Sequence, residues 1–158
     1  MTPLLITPPT SPVVELSDLR DYMRIVGDDH DLMISSLERA AVAHLDGWTG
    51  VLGRCIMPQT WEIKLSAGRH ILPFPDVIEA TLYDGVGTEE LPVELTVSGP
   101  QVDIAQAGRV RFTCAMPAHL LPAVQTAVKI WVGAAYDGKD VGDAFNALVS
   151  SLRWWQAQ

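Results

Sequence analysis

The sequence predicts an α+β fold: a bundle of about four α-helices with a small antiparallel β-unit inserted between the second and third helices. Three observations predict it. Apolar residues recur at helical spacing over residues 17–49 and again over 118–156. Between them, over 58–115, the pattern switches to alternation, most clearly in TWEIKLS at 60–66. Short turn signals, Asp84-Gly85, Ser98-Gly99-Pro100 and Ala107-Gly108, cut that middle stretch into strand-length pieces.

The chain opens with MTPLLITPPTSP, which holds Pro3, Pro8, Pro9 and Pro12. Proline fixes φ and has no N–H to give, so residues 1–13 are expected as an extended arm, disordered or lying along a neighbour. The stretch lacks a basic start and an apolar middle, so it does not read as a signal peptide. A helix then begins at Ser17, a good N-cap, with Asp18 at its positive end and Leu19, Tyr22, Met23 and Val26 at helical spacing. Gly27 is the expected stop. A longer helix follows to about Thr49, with an apolar stripe of Met33, Leu37, Ala40, Ala41, His44 and Trp48, widened by Ile34 and Leu45. Gly50 ends it.

In 60–66, Trp61, Ile63 and Leu65 share one face and Glu62 and Lys64 the other, as in a half-buried strand. Ile71-Leu72 leads into a Pro73-Phe74-Pro75 corner. Further strands are expected over 78–83, 93–97, 102–104 and 110–114. Helix returns after Pro117, with Pro122 in a first turn and a stripe of Val124, Ala127, Val128, Trp131, Ala134 and Ala135. Asp137-Gly138-Lys139-Asp140 breaks it. A last helix over 144–156 turns Phe145, Leu148, Val149 and Leu152 inward and ends near Trp154-Trp155.

The 158 residues suit one domain, spanning 14–158, and 48% apolar content is enough for a core. A net charge of −8 argues against gripping nucleic acid, which requires a dense basic face. No apolar run is long enough to span a membrane. Cys55 and Cys114 form no metal spacing with histidine. They suggest a reducing compartment and are expected as buried small hydrophobes, with a disulfide between them left open.

Asp28-Asp29-His30-Asp31 is the one cluster that invites chemistry. Consecutive residues at a helix start radiate around the axis and cannot converge on a metal, and no i, i+4 ligand pair is present. Helix-start chemistry accounts for it more simply. Asp28 or Asp29 would cap the free N–H groups, and the other acids would gain from the dipole by roughly 0.3–1 kcal/mol each. His44 reads as a core or interface histidine, and His70 and His119 lie in loops without an acidic partner. No GxSxG, Walker, GxGxxG or HExxH motif occurs. No catalytic, cofactor-binding or metal residues are expected, and the chain does not read as an enzyme. Trp154 and Trp155 are adjacent at the chain end, point roughly 100° apart on a helix, and suit an interface.

Taken together, several blocks resemble the head-tail connector (adaptor) proteins of long-tailed bacteriophages and gene transfer agents, in the branch with a β insertion. They are DLRDYMRIVGDDHDLMISSLERAAVAHLDGWTG, then PQTWEIKLSA, then the corner in LPFPDVIEATLYD, then LPAVQTAVKIWVGAAYDGKD, together covering residues 14–140. RVRFTCAMPAHLLP departs from the longer Thr-Tyr-Gly-rich loop of that pattern, and the proline arm and Trp-Trp tail lie outside it. The resemblance implies a structural virion protein at the head-tail interface, assembled in the host cytoplasm. It implies a homo-oligomeric ring, typically dodecameric, beneath the portal protein. The ring would extend the DNA channel without binding DNA specifically and offer a docking surface for the stopper or tail-terminator protein. It implies portal docking through 142–158, hence through Phe145, Leu148, Leu152, Arg153, Trp154 and Trp155. The rival readings are a small metal-dependent hydrolase using Asp28, Asp29, His30 or Asp31, and a host interaction module.

Overall fold

The computed structural model describes residues 1–154. Among the described residues the chain is mixed α and β, with four helices and eight strands in two sheets. The four helices match the sequence reading; the β part is larger than a small unit. In order the elements are β1 (Leu4–Thr7), α1 (Leu16–Met23), α2 (Asp31–Leu45), β2 (Gln59–Leu65), β3 (Gly68–Ile71), β4 (Val77–Tyr83), β5 (Thr88–Leu91), β6 (Glu94–Thr96), β7 (Gly99–Ile104), β8 (Gly108–Cys114), α3 (Leu121–Asp137) and α4 (Gly142–Leu152).

The residues divide into two compact units, one strand-rich (residues 1–9, 57–116 and Trp154) and one helical (10–56 and 117–153). In the strand-rich unit a five-stranded antiparallel sheet runs β1-β2-β8-β4-β5, and a three-stranded sheet runs β3-β7-β6. The alternation read in TWEIKLS holds: Trp61, Ile63 and Leu65 are buried and Lys64 is exposed. Across strands, Trp61 faces Phe112 and Ile63 faces Val110, so the apolar sets of β2 and β8 fall on one side. Phe74, from the proline corner, sits 5.1 Å from the Trp61 ring and 6.2 Å from Phe112. The Trp61 indole N–H donates to Gln59 Oε1 at 3.1 Å, which satisfies it inside the core.

Three strands escape the sequence reading. β1 lies within the proline arm and pairs with β2, Leu4 opposite Glu62, which places the arm on the edge of its own sheet. Edge strands tolerate flanking prolines because their outer N–H groups need no partner. β3 is a four-residue GRHI, and β5 is TEEL, short of the branched and aromatic residues that mark strands.

In the helical unit the first two helices differ at their ends from expectation. α1 starts one residue before Ser17, its N-cap is Glu15, and no side chain caps it. It ends at Arg24, in the left-handed region at φ 56, three residues before Gly27. α2 is capped by His30 without a side-chain bond, so neither Asp28 nor Asp29 is the N-cap; the Asp31 N–H donates to the Asp28 carbonyl oxygen instead. α2 stops at Leu45, short of Thr49. There the Asp46 carboxylate accepts the Ile56 N–H at 2.7 Å and turns residues 46–56 into a tight loop.

The face of α2 is also rotated from the expected stripe. Ile34, Glu38, Ala41 and Leu45 are buried, whereas Met33, Ala40, His44 and Trp48 are exposed and Leu37 is half-buried. His44 is therefore not a core histidine. α3 follows its predicted stripe in Val124, Ala127 and Val128, adds Val132, and ends at Gly138 in the left-handed conformation at φ 66. α4 buries Phe145, Val149 and Leu152 and ends at Leu152, short of the expected 156. Cys55 and Cys114 are buried as expected, but neither is a free thiol: each is disulfide-bonded.

Candidate functional site

The acidic start of α2 is occupied by structural contacts. Arg20, on α1, donates from Nε to Asp31 Oδ1 at 2.7 Å and from its Nη2 to Asp31 Oδ2, a bidentate pair. The Asp31 bond raises the Arg20 pKa further above its ordinary value. His30 meets the Tyr136 ring edge-on, with centroids 5.7 Å apart. Asp28 and Asp29 are exposed. Among the described residues no group of three or more His, Cys, Asp and Glu side chains is gathered as a metal centre requires.

A further polar group was missed by sequence reasoning. Glu38 is buried on the apolar face of α2 and its Oε1 accepts the backbone N–H groups of Val13 (2.9 Å) and Val14 (3.4 Å). Gln125, on α3, donates to the Val13 carbonyl oxygen at 3.2 Å. The segment just after the proline arm is thus held by both its N–H and its C=O. The signal in the sequence was a charged residue at i+4 from Ile34 and i−3 from Ala41, inside the buried period.

The six residues expected to meet a partner do not form one exposed patch. Phe145 and Leu152 are buried, Leu148 is half-buried and Arg153 is exposed. At Arg153 the chain leaves the helix for an extended conformation, φ −62 and ψ 136. Trp154 then belongs to the strand-rich unit, with its ring beside Gly99 of β7. A Cβ at Gly99 would stand 3.4 Å from Trp154 Cζ2 and 3.3 Å from Ile71 Cγ2. The Trp154 indole Nε1 is buried and has no hydrogen-bond partner among the described residues. Trp155 lies outside the described residues.

Of the solved structures, one chain matches this architecture end to end. It comes from the neck of an empty GTA (gene transfer agent) particle, computed with C6 symmetry. The fold is that of a particle-neck chain. The match has a TM-score of 0.69 and covers 100% of this chain and 98% of the neck chain, at 17% sequence identity. The neck chain therefore shares the fold, and it agrees with the head-tail connector resemblance carried by the sequence blocks. No protein-family model and no curated protein matches the sequence.

Proposed function

We propose that this chain is a head-tail connector: a structural, non-catalytic virion protein that forms a ring beneath the portal protein. The observation that carries the reading is the full-length match to a particle-neck chain. A neck computed with C6 symmetry is compatible with a dodecameric ring, which contains sixfold symmetry. Residues 14–158 act as one adaptor domain, with helices packed side by side around the ring. The exposed arc of α2, through Met33 and Ala40, offers apolar surface for that packing.

The ring extends the DNA channel and presents the docking surface for the stopper or tail terminator. An acidic subunit, net charge −8, repels phosphates and lets a duplex pass without being held. The C-terminal segment docks on the portal, with Arg153 presented at the surface and Trp154 and Trp155 as its aromatic anchors, while Phe145, Leu148 and Leu152 fix the helix that carries them. Assembly takes place in the host cytoplasm and the product resides at the head-tail interface. The hydrolase reading is disfavoured because Asp31 is already engaged by Arg20.

The experiment is electron microscopy of the purified chain mixed with the portal protein encoded alongside it. An added layer on the narrow end of the portal is expected, and it disappears with Trp154→Ala/Trp155→Ala while the far-UV circular dichroism is unchanged. Bare portals at saturating chain would overturn the proposal.

A further inference from the structure

Ser35, Glu38 and Arg39 stand at i, i+3 and i+4 and share one side of α2, while Leu16 and Leu19 stand three apart on α1. Between them lies an open cleft of about 310 Å³, walled by Val14, Leu16 and Leu19 and rimmed by Glu15. Glu38 is 5% exposed. Its Oε1 accepts the Val13 and Val14 N–H groups. Its Oε2 makes no hydrogen bond among the described residues and opens onto the cleft. The Ser35 hydroxyl, also on the lining, makes none either. Arg39 is the one cation on the lining. It is exposed, donates to Ser36 Oγ at 3.5 Å and forms no ion pair with Glu38 or Glu15. A carboxylate this deep is held at a cost unless a cation meets it.

The same unit holds an arginine without a partner. Of the eight arginines in the chain, seven are engaged by another group. Arg24 is the one whose side chain has no hydrogen bond, ion pair or ring contact among the described residues. It is exposed and stands at the C-cap of α1 in the left-handed conformation, φ 56. Among the described residues no other residue except glycine adopts a positive φ. Helices commonly place glycine at such a stop, because it has no Cβ to strain. The eight residues of α1 rise about 12 Å, so Arg24 and the cleft stand at opposite ends of that helix.

We infer that the Arg24 side chain of one copy of this chain enters the Glu38 cleft of the next. The inference rests on the ring reading above and deepens it. A guanidinium is planar and has five N–H donors, so one head can reach Glu38 Oε2 and the Ser35 hydroxyl together. Leu16 and Leu19 then flank its aliphatic stem. Val26, 97% exposed two residues beyond Arg24, brings apolar area to the same contact. The two halves lie at opposite ends of one helix, so the contact is head-to-tail and repeats from copy to copy. A metal ion fits the cleft less well. It requires several converging ligands, and among the described residues no three acidic, histidine or cysteine side chains are gathered.

Two variants of the full chain, mixed, test it by NMR. ¹⁵N-labelled Arg24→Ala keeps the cleft and cannot fill one; unlabelled Glu38→Gln keeps Arg24 and lacks the receiving charge. The mixture is expected to shift the Val13 and Val14 amide resonances of the labelled chain saturably, because both N–H groups donate to that carboxylate. With Arg24→Ala/Glu38→Gln as the unlabelled partner, binding is expected to weaken about tenfold or more, the scale of one hydrogen bond to a charged group. n-Propylguanidinium alone is expected to shift the same two amides of labelled Arg24→Ala. Adding Glu38→Gln should weaken that about tenfold, whereas adding Glu15→Gln, at the exposed rim, should change it by less than about twofold. Circular dichroism of each variant checks the fold. No shift in the mixture, or an equal shift with the double variant, overturns the inference. So does greater sensitivity to Glu15 than to Glu38, which would reduce the effect to surface attraction. Binding of n-propylguanidinium with no shift in the mixture overturns the second copy as the source and assigns the cleft to an arginine of another chain. The connector reading survives each of these results if the wild type still adds a layer to the portal.

Discussion

Glu38→Ala tests whether one buried carboxylate fixes the segment that leads from the proline arm into α1. Val13 and Val14 are 5% and 2% exposed, so water cannot replace the acceptor that their N–H groups lose. A buried, unpaired backbone N–H costs about 1–3 kcal/mol. The Val13 bond, at 2.9 Å, carries the full cost and the Val14 bond, at 3.4 Å, a fraction of it. The expected loss is about 2–4 kcal/mol, a large share of a typical domain stability of about 5–15 kcal/mol. Glu38→Gln keeps the Oε1 acceptor and gives up only the charge assistance, so it costs about 1 kcal/mol. Urea unfolding followed by far-UV circular dichroism measures both. Two results would refute the reasoning: Glu38→Ala within 1 kcal/mol of wild type, or Glu38→Gln as damaging as Glu38→Ala. The first would mean that the N–H groups find other acceptors, and the second that charge rather than acceptor geometry is what the site requires.

Gly50→Ala would drive a Cβ into the carbonyl oxygens of Leu45 and Asp46 and should cost about 1–3 kcal/mol in the same assay. Gly87→Ala, where a Cβ meets nothing within 4 Å, should stay within about 0.5 kcal/mol. Asp84 accepts the Gly87 and Val86 N–H groups, each at 2.8 Å, and these hold its carboxyl below the ordinary carboxylate range. A depressed folded-state pKa stabilises the protein above the ordinary value and ceases to do so as pH falls through the folded one. Asp84→Asn should therefore lose less stability than wild type between neutral pH and acid, which thermal melts across that range would read. Trp154→Phe keeps a ring beside Gly99 and removes a buried N–H without an acceptor, so its melting temperature should equal or exceed that of wild type.

What was legible in the sequence follows from how local each determinant is. β2 was readable because alternation is a property of seven consecutive residues, and the Asp84-Gly85 turn because the Asp84 side chain bonds its own neighbours. The end of α3 was readable for the same reason, since Gly138 adopts the conformation that glycine tolerates best. β5 was not readable: TEEL acquires its strand conformation from pairing with β4, Ala80 opposite Leu91. β1 hid behind its prolines for the same non-local reason. The early end of α2 depends on a bond between Asp46 and Ile56 that no local pattern announces. In the candidate site, the acidic cluster was correctly referred to a helix start, but its real partner, Arg20, lies on the preceding helix. The face of α2 is the most informative miss, because there the pattern was present and its centre was misjudged.

The apolar arc of α2 is wider than its own unit can cover. Met33 and Ile34 are adjacent and point roughly 100° apart. Ile34 is fully buried with Ala41 and Leu45, while Met33 is 47% exposed on the side shared with Ala40 and His44. A periodicity count adds both halves into one stripe, since it records what is apolar and not which neighbour makes it so. A monomer gains nothing from the second half; a subunit of a ring does. The two halves should therefore separate by experiment. Ile34→Ala should destabilise the isolated chain by about 2–5 kcal/mol, as truncations at fully buried sites do. Met33→Ser should change it by less than about 1 kcal/mol and yet reduce the layer added to the portal. Equal loss of stability in the two variants would place Met33 in the core of its own unit and return the whole arc to folding rather than assembly.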